Sequence, residues 1–367
     1  MLFRWLLSFI LLFHAKLAYA EIEGYSTFRV ANTTYKYTYS GITLPDYDSI
    51  DFDHNSNDLY LVHDNKLFNA KPIAGNIFLT EVDRTWVAGD YVNSSSMATN
   101  ICGENIAVNT RPSNRADDII SACLYQQNSK PDFNPFGYSS VYNNLLVKVA
   151  DGAVFTANNN RLWGEQPYII DANNDGVNEV IALAYDQQQG AYATLFMPNW
   201  LGIVNNKPKL VAVANTPHTK SDSWLNFVAV ADFDADGISE FAFVEMSIKR
   251  SDLLIYTLEN GNFKLRERVF GVTNHIPQTD QNKAHIIYDF DADGKLDIGL
   301  LSHDLRDFVI ISYNGAKFTR RASLPLDARV NRNIISNLTW RHQPDKIGFI
   351  ISLTNGQLVY FYDNIKL

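Results

Sequence analysis

The sequence is short of cysteine, of helical patterning and of long apolar runs, and each shortage removes a class of protein. Its 367 residues include only two cysteines, Cys102 and Cys123. That is too few for a disulfide-built scaffold, and no histidine lies close enough to complete a zinc site. Apolar residues at helical spacing are nearly absent, which excludes a helix bundle. Beyond the first twenty residues no run is apolar and long enough to cross a bilayer as a helix. Cations are the minority: 31 Lys and Arg stand against 40 Asp and Glu, a net charge of −9. Such a chain is a poor partner for nucleic acid, whose phosphates need a basic surface. No G-x-S-x-G, H-E-x-x-H, Walker loop or dinucleotide fingerprint occurs. Seven histidines after the leader (His54, His63, His218, His275, His285, His303 and His342) are scattered singly.

What is present begins with "MLFRWLLSFILLFHAKLAYA". An early Arg4, an apolar stretch from Trp5 to Phe13 and the small-x-small ending Ala18-Tyr19-Ala20 form a signal peptide over residues 1–20. The apolar stretch is too short for a membrane anchor. The leader carries Arg4 and Lys16 and no acid, so its removal takes the charge from −9 to −11. The expected location is secreted or periplasmic, with no integral membrane segment after cleavage. In that compartment Cys102 and Cys123 are expected to form one disulfide closing a surface loop.

The remainder, residues 21–367, reads as short β-rich runs such as "EVIALAY", "EFAFVEM", "DIGLLS" and "QLVYFY" separated by turn clusters such as "ENGN" and "YNGAK". Three segments align without a gap: "IIDANNDGVNEVIAL" at Ile169, "VADFDADGISEFAFV" at Val230 and "IYDFDADGKLDIGLL" at Ile287. "SIDFDHNSNDLYLV" around Asp51 is a degenerate copy. "ADDIISACL" around Asp117 and Asp118 resembles the tail of another, and "DKIGFIIS" retains only the flanking strand. A period of roughly 50–60 residues with about four strands per unit is that of a β-propeller blade. The expected fold is therefore all-β, a single β-propeller domain of about six, alternatively seven, four-stranded blades. The first strands, "TFRVA" and "YKYTY", complete the last blade. Residues 87–142, rich in Asn, Ser and Pro, are expected as an irregular insertion and a candidate functional loop.

The acidic loops carry the chemistry. In "ADFDADGISEFAFV" three aspartates alternate with no cation inside the stretch, and like charges this close need something positive among them. Carboxylates at positions one, three and five, glycine at six, a carbonyl at seven and an acid at nine suit the oxygen shell of Ca²⁺. An EF-hand is excluded, because it needs flanking helices and a Glu at position twelve, where this chain has Ala182, Phe243 and Leu300. The alternative is a metal-free Asp/Gly turn.

The D-x-[DN]-x-D-G-x-x-[DE] loop between apolar strands resembles the FG-GAP/VCBS repeat of integrin-α-type β-propellers, most clearly over residues 165–325 and in the exported bacterial form. The resemblance implies up to three Ca²⁺ sites. Their ligands are Asp171, Asn173, Asp175, Val177 and Glu179; Asp232, Asp234, Asp236, Ile238 and Glu240; and Asp289, Asp291, Asp293, Lys295 and Asp297. It implies a rigid module that binds a protein or glycan partner. A propeller enzyme acting on polysaccharide, as lyase or hydrolase, and a structural or assembly subunit are the alternatives. Trp86, Trp163, Trp200, Trp224 and Trp340 are either sugar-stacking platforms or packing between blades.

Overall fold

The computed structural model describes residues 26–39, 49–82, 106–108, 115–128, 141–338 and 346–364, with breaks at 31–32, 54–57, 64–65, 74–75, 187, 205–206, 278, 280 and 333. The signal peptide, Cys102, Trp86, Trp340 and most of 87–142 lie outside the described residues. The described residues are all-β and fall into two compact units, 1–88 with 327–367, and 89–326.

In the first unit, β1 (Ser26–Val30) and β2 (Thr33–Tyr39) are followed by an antiparallel meander of β3 (Ser49–Asp53), β4 (Asp58–His63), β5 (Lys66–Ile73) and β6 (Asn76–Val82).

The second unit holds a seven-stranded sheet. Its strands are β7 (Ile106–Val108), β8 (Ile119–Asn128), β9 (Val141–Val149), β10 (Val154–Ile170), β11 (Glu179–Asp186), β12 (Gly190–Val204) and β13 (Lys207–Asn215). This sheet is two meanders sharing one long strand. The first half of β10 pairs with β9, from Val154 to Trp163, and the second half pairs with β11, from Leu162 to Ile170.

Two further meanders complete the unit. One is β14 (Trp224–Ala231), β15 (Glu240–Met246), β16 (Ser251–Glu259) and β17 (Asn262–Phe270). In the other, β18 (Val272–Thr273) and β19 (Ile286–Tyr288) both pair with β20 (Asp297–Ser302), followed by β21 (Asp307–Tyr313) and β22 (Phe318–Pro325).

The chain returns to the first unit with β23 (Ile335–Leu338), β24 (Lys346–Ser352) and β25 (Leu358–Asn364). Strand β2 pairs antiparallel with β25, so the N-terminal strands complete the C-terminal sheet as expected. This protects the edge that β25 would otherwise expose.

The repeat is visible in where the second strand of each meander begins: Asp58, Ile119, Glu179, Glu240, Asp297 and Lys346. Strands β15 and β20 are apolar because they are covered on both faces. All seven residues of β15 are buried, and so are all six of β20. Phe227, Phe241, Phe243, Tyr256 and Phe263 interlock edge-to-face across the β14–β17 meander. Trp224 is buried and stacked on Tyr185 at 4.0 Å, so this tryptophan packs the core.

The stretch expected to be irregular holds regular strands. Within 87–142, β7 and β8 are hydrogen-bonded into the sheet, and Ile119, Ala122 and Leu124 belong to its core. Cys123, on β8, is 1% exposed and disulfide-bonded.

Candidate metal centres

Each acidic loop joins the first strand of a meander to the second: β10 to β11, β14 to β15, and β19 to β20. The three loops share one backbone. Position four is left-handed in each, at Asn174, Ala235 and Ala292 with φ of 59°, 61° and 58°. Position six is the expected glycine, and Gly176, Gly237 and Gly294 have φ of 82°, 89° and 88°.

The hydrogen bonds repeat as closely. The position-one carboxylate accepts two backbone N–H groups, from positions five and six. Asp232 takes Asp236 at 3.0 Å and Gly237 at 2.9 Å, Asp171 takes Asp175 and Gly176, and Asp289 takes Asp293 and Gly294. The position-nine acid reaches back to the N–H of position two: Ala172 donates to Glu179, Phe233 to Glu240 and Phe290 to Asp297, at 2.8–2.9 Å. Position two is the buried anchor of each loop, and Phe233 and Phe290 are 0% and 2% exposed.

Two groups of expected ligands are drawn together among the described residues: Asp232, Asp234 and Glu240, and Asp289, Asp291 and Asp297. One oxygen from each member lies within 4.8 Å of the others in its group. These are positions one, three and nine. Position five is not part of either group. Asp175, Asp236 and Asp293 are exposed and accept the N–H of Val177, Ile238 and Lys295 at 2.8–2.9 Å. In the first loop the Asn173 amide donates to Asp175 at 3.2 Å.

The cation missing from the middle stretch is a side chain from elsewhere. Arg266, on the outer strand β17, ion-pairs with both Asp234 and Glu240. A carboxylate pair of which one member is 4% and the other 0% exposed thus has a positive partner that the sequence reading did not allow for. The third loop differs. Arg321 approaches Asp291 Oδ2 only to 3.7 Å, and the other oxygen, Oδ1, is buried with no hydrogen bond of normal geometry among the described residues. The Asp291 side chain is 9% exposed.

Burial sets the charge state of the position-nine acids. It pushes Glu179 up to about 7, with Asp175 and Asp171 adding repulsion and the Ala172 N–H opposing. It pushes Glu240 up to about 7, opposed by the Phe233 N–H and by Arg266, and Asp297 up to about 6. Asp291 is raised as well, by burial and by Asp293.

A fit to calcium therefore differs by loop. The third offers three close carboxylates and an oxygen with a free lone pair in a buried position, which suits a hard cation. The second offers the same three acids, but two are already paired with a guanidinium and do not fit an added ion. The first offers one carboxylate fewer, because Asn173 stands where the other two loops have an aspartate.

One position-nine relative has another task. Asp118, fully buried just before β8, accepts the backbone N–H of Asn178 at 3.0 Å and its side-chain amide at 2.7 Å. It ties the first loop to the preceding meander. The tail "ADDIISACL" signalled this residue, though not its partner.

No family model and no curated protein matches the chain. Solved structures similar to it include an auxiliary nutrient-binding protein from Bacteroides thetaiotaomicron, 11% identical, covering 91% of this chain and 79% of that one, with a TM-score of 0.37. Others are the WD40 domain of Toxoplasma gondii coronin (9%, 86% and 68%, 0.34) and the periplasmic gluconolactonase of Pseudomonas aeruginosa (10%, 80% and 77%, 0.30). Likeness at this level assigns no activity.

Proposed function

We propose that the chain is an exported, calcium-stabilised β-propeller of FG-GAP/VCBS type that serves as a binding module for a protein or glycan partner. The observation that carries the calcium reading is the third loop, where Asp291 Oδ1 is buried beside Asp289 and Asp297 with no hydrogen bond of normal geometry among the described residues. A buried carboxylate oxygen without a donor costs free energy that a bound cation removes. The β2–β25 pairing joins the N-terminal strands to the C-terminal sheet, as the last blade of a propeller requires. Rigid sheets with loops at the strand ends suit recognition of a large partner.

The test is thermal unfolding of the mature protein in calcium and in EDTA, with metal content measured on the same sample. Calcium binding to the native state alone raises the melting temperature by mass action. A calcium-dependent rise that Asp291→Asn abolishes supports the reading. Absence of both bound metal and any shift contradicts it. Retention of a polysaccharide on the immobilised protein, without release of shortened chains, separates binding from hydrolysis or lyase action.

A further inference from the structure

The three outer strands share a bulge at one repeat position. Along β12–β13 the pairing runs Leu195 with Ala214 and then Phe196 with Ala212, so Val213 is skipped. Along β16–β17 it runs Ile255 with Glu267 and then Tyr256 with Leu265, so Arg266 is skipped. Along β21–β22 it runs Ile310 with Ala322 and then Ile311 with Arg320, so Arg321 is skipped. A bulge re-aims the extra side chain out of the strand's alternation. Here that side chain belongs to the outer strand of the same meander whose first turn is the acidic loop.

The bulge residue varies with loop position three. Where position three is Asp234 or Asp291, the bulge holds Arg266 or Arg321; where it is Asn173, the bulge holds Val213. The two arginines are not equally engaged. Arg266 grips both Asp234 and Glu240, and its guanidinium lies over the Tyr313 ring at 5.2 Å and the Phe318 ring at 5.8 Å. It is held between its own loop and the next meander. Arg321 reaches Asp291 at 3.7 Å and is 45% exposed.

We infer that Arg266 is a built-in cation that closes the second loop to metal, and that the engagement of the bulge arginine with its loop decides whether that loop can take a divalent ion. The selection of the third loop rests on the calcium reading above; the closure of the second does not. In the second loop a guanidinium supplies the charge that a Ca²⁺ ion supplies in an open loop. This makes that meander metal-independent and joins it to its neighbour through the aromatic rings.

The experiment counts calcium ions per mature chain by native mass spectrometry and isothermal titration, using calcium alone as the probe. Arg266→Ala is expected to bind one more calcium than the wild type. Asp234→Asn in the wild-type background is expected to leave the count unchanged, because Asp234 holds an arginine and not an ion. Asp291→Asn is expected to lower the count by one. An unchanged count in Arg266→Ala, or one calcium lost in Asp234→Asn, overturns the arginine closure. If Arg266→Ala does not fold, the Asp234→Asn count decides alone. A wild type that binds no calcium while Arg266→Ala binds one upholds the closure and contradicts the calcium reading of the third loop, so the two failures are distinguishable.

Discussion

The second and third acidic loops have the same backbone, the same glycine and the same three gathered carboxylates, yet their charges are balanced differently. In the second, Arg266 lies on Asp234 and Glu240. In the third, Arg321 stands off at 3.7 Å and Asp291 Oδ1 has no hydrogen bond of normal geometry among the described residues. The comparison teaches that a repeated loop motif specifies a turn, while its charge balance depends on how closely an arginine about thirty positions downstream approaches it. A buried ion pair is weak evidence of net stability, but breaking one is costly because the remaining charge is stranded.

The largest expected effect follows from that. In EDTA, Arg266→Ala strands two buried carboxylates and should cost about 3–5 kcal/mol, read from urea or guanidinium unfolding. Added calcium should recover part of it, which distinguishes a lost charge from lost packing. Next is Asp291→Asn, which should remove the calcium-dependent gain in stability, about 2.7 kcal/mol when calcium is at a hundred times its dissociation constant. The same substitution should change stability little in EDTA.

The third prediction concerns pH. Burial raises Glu179 from its ordinary 4.5 to about 7, so the folded state favours the protonated form. That contribution is fully present below pH 4.5 and is lost as pH rises through about 7. His275 and His285, lowered by burial to about 3 and about 4, act in the opposite sense, losing stability as pH falls below their ordinary 6.5. The Glu179 contribution is therefore read as a difference. Glu179→Gln should gain on the wild type as pH rises from 4.5 to 7 in EDTA, and a constant difference would contradict the assignment.

Two smaller effects sharpen the comparison with the first loop. Asn178→Ala removes the side-chain donor to the buried Asp118 and leaves the backbone one, and should cost about 1–3 kcal/mol by chemical denaturation. Ala235→Gly relieves a left-handed alanine at φ 61° but loosens the unfolded chain, so a gain below about 1 kcal/mol is expected.

Much of the fold was legible because strands flanked by Asp/Gly turns repeat along the chain. The pattern "IIDANNDGVNEVIAL" fixed both the turn and the strand after it. The N-terminal strands were recognisable as the missing edge of the last sheet. Two features were hidden. Strand β10 runs without a turn from one meander into the next, so its 17 residues carry no boundary signal. Strands β7 and β8 lie among Asn, Ser and Pro, and the polar composition outweighed the short apolar runs.

At the acidic loops, positions one, three, six and nine were readable from spacing. The arginine was not, because an outer strand returns beside the loop only after two hairpins. Its signal was present in the aligned "FKLRER" and "FTRRAS", each with Arg three residues after Phe.

The most direct test of the account is a crystal structure of the mature protein grown with calcium. The account predicts an ion among Asp289, Asp291 and Asp297, with the Arg266 guanidinium seated between Asp234 and Glu240 and no ion there. Calcium bridging Asp234 and Glu240, with Arg266 turned away, would contradict it.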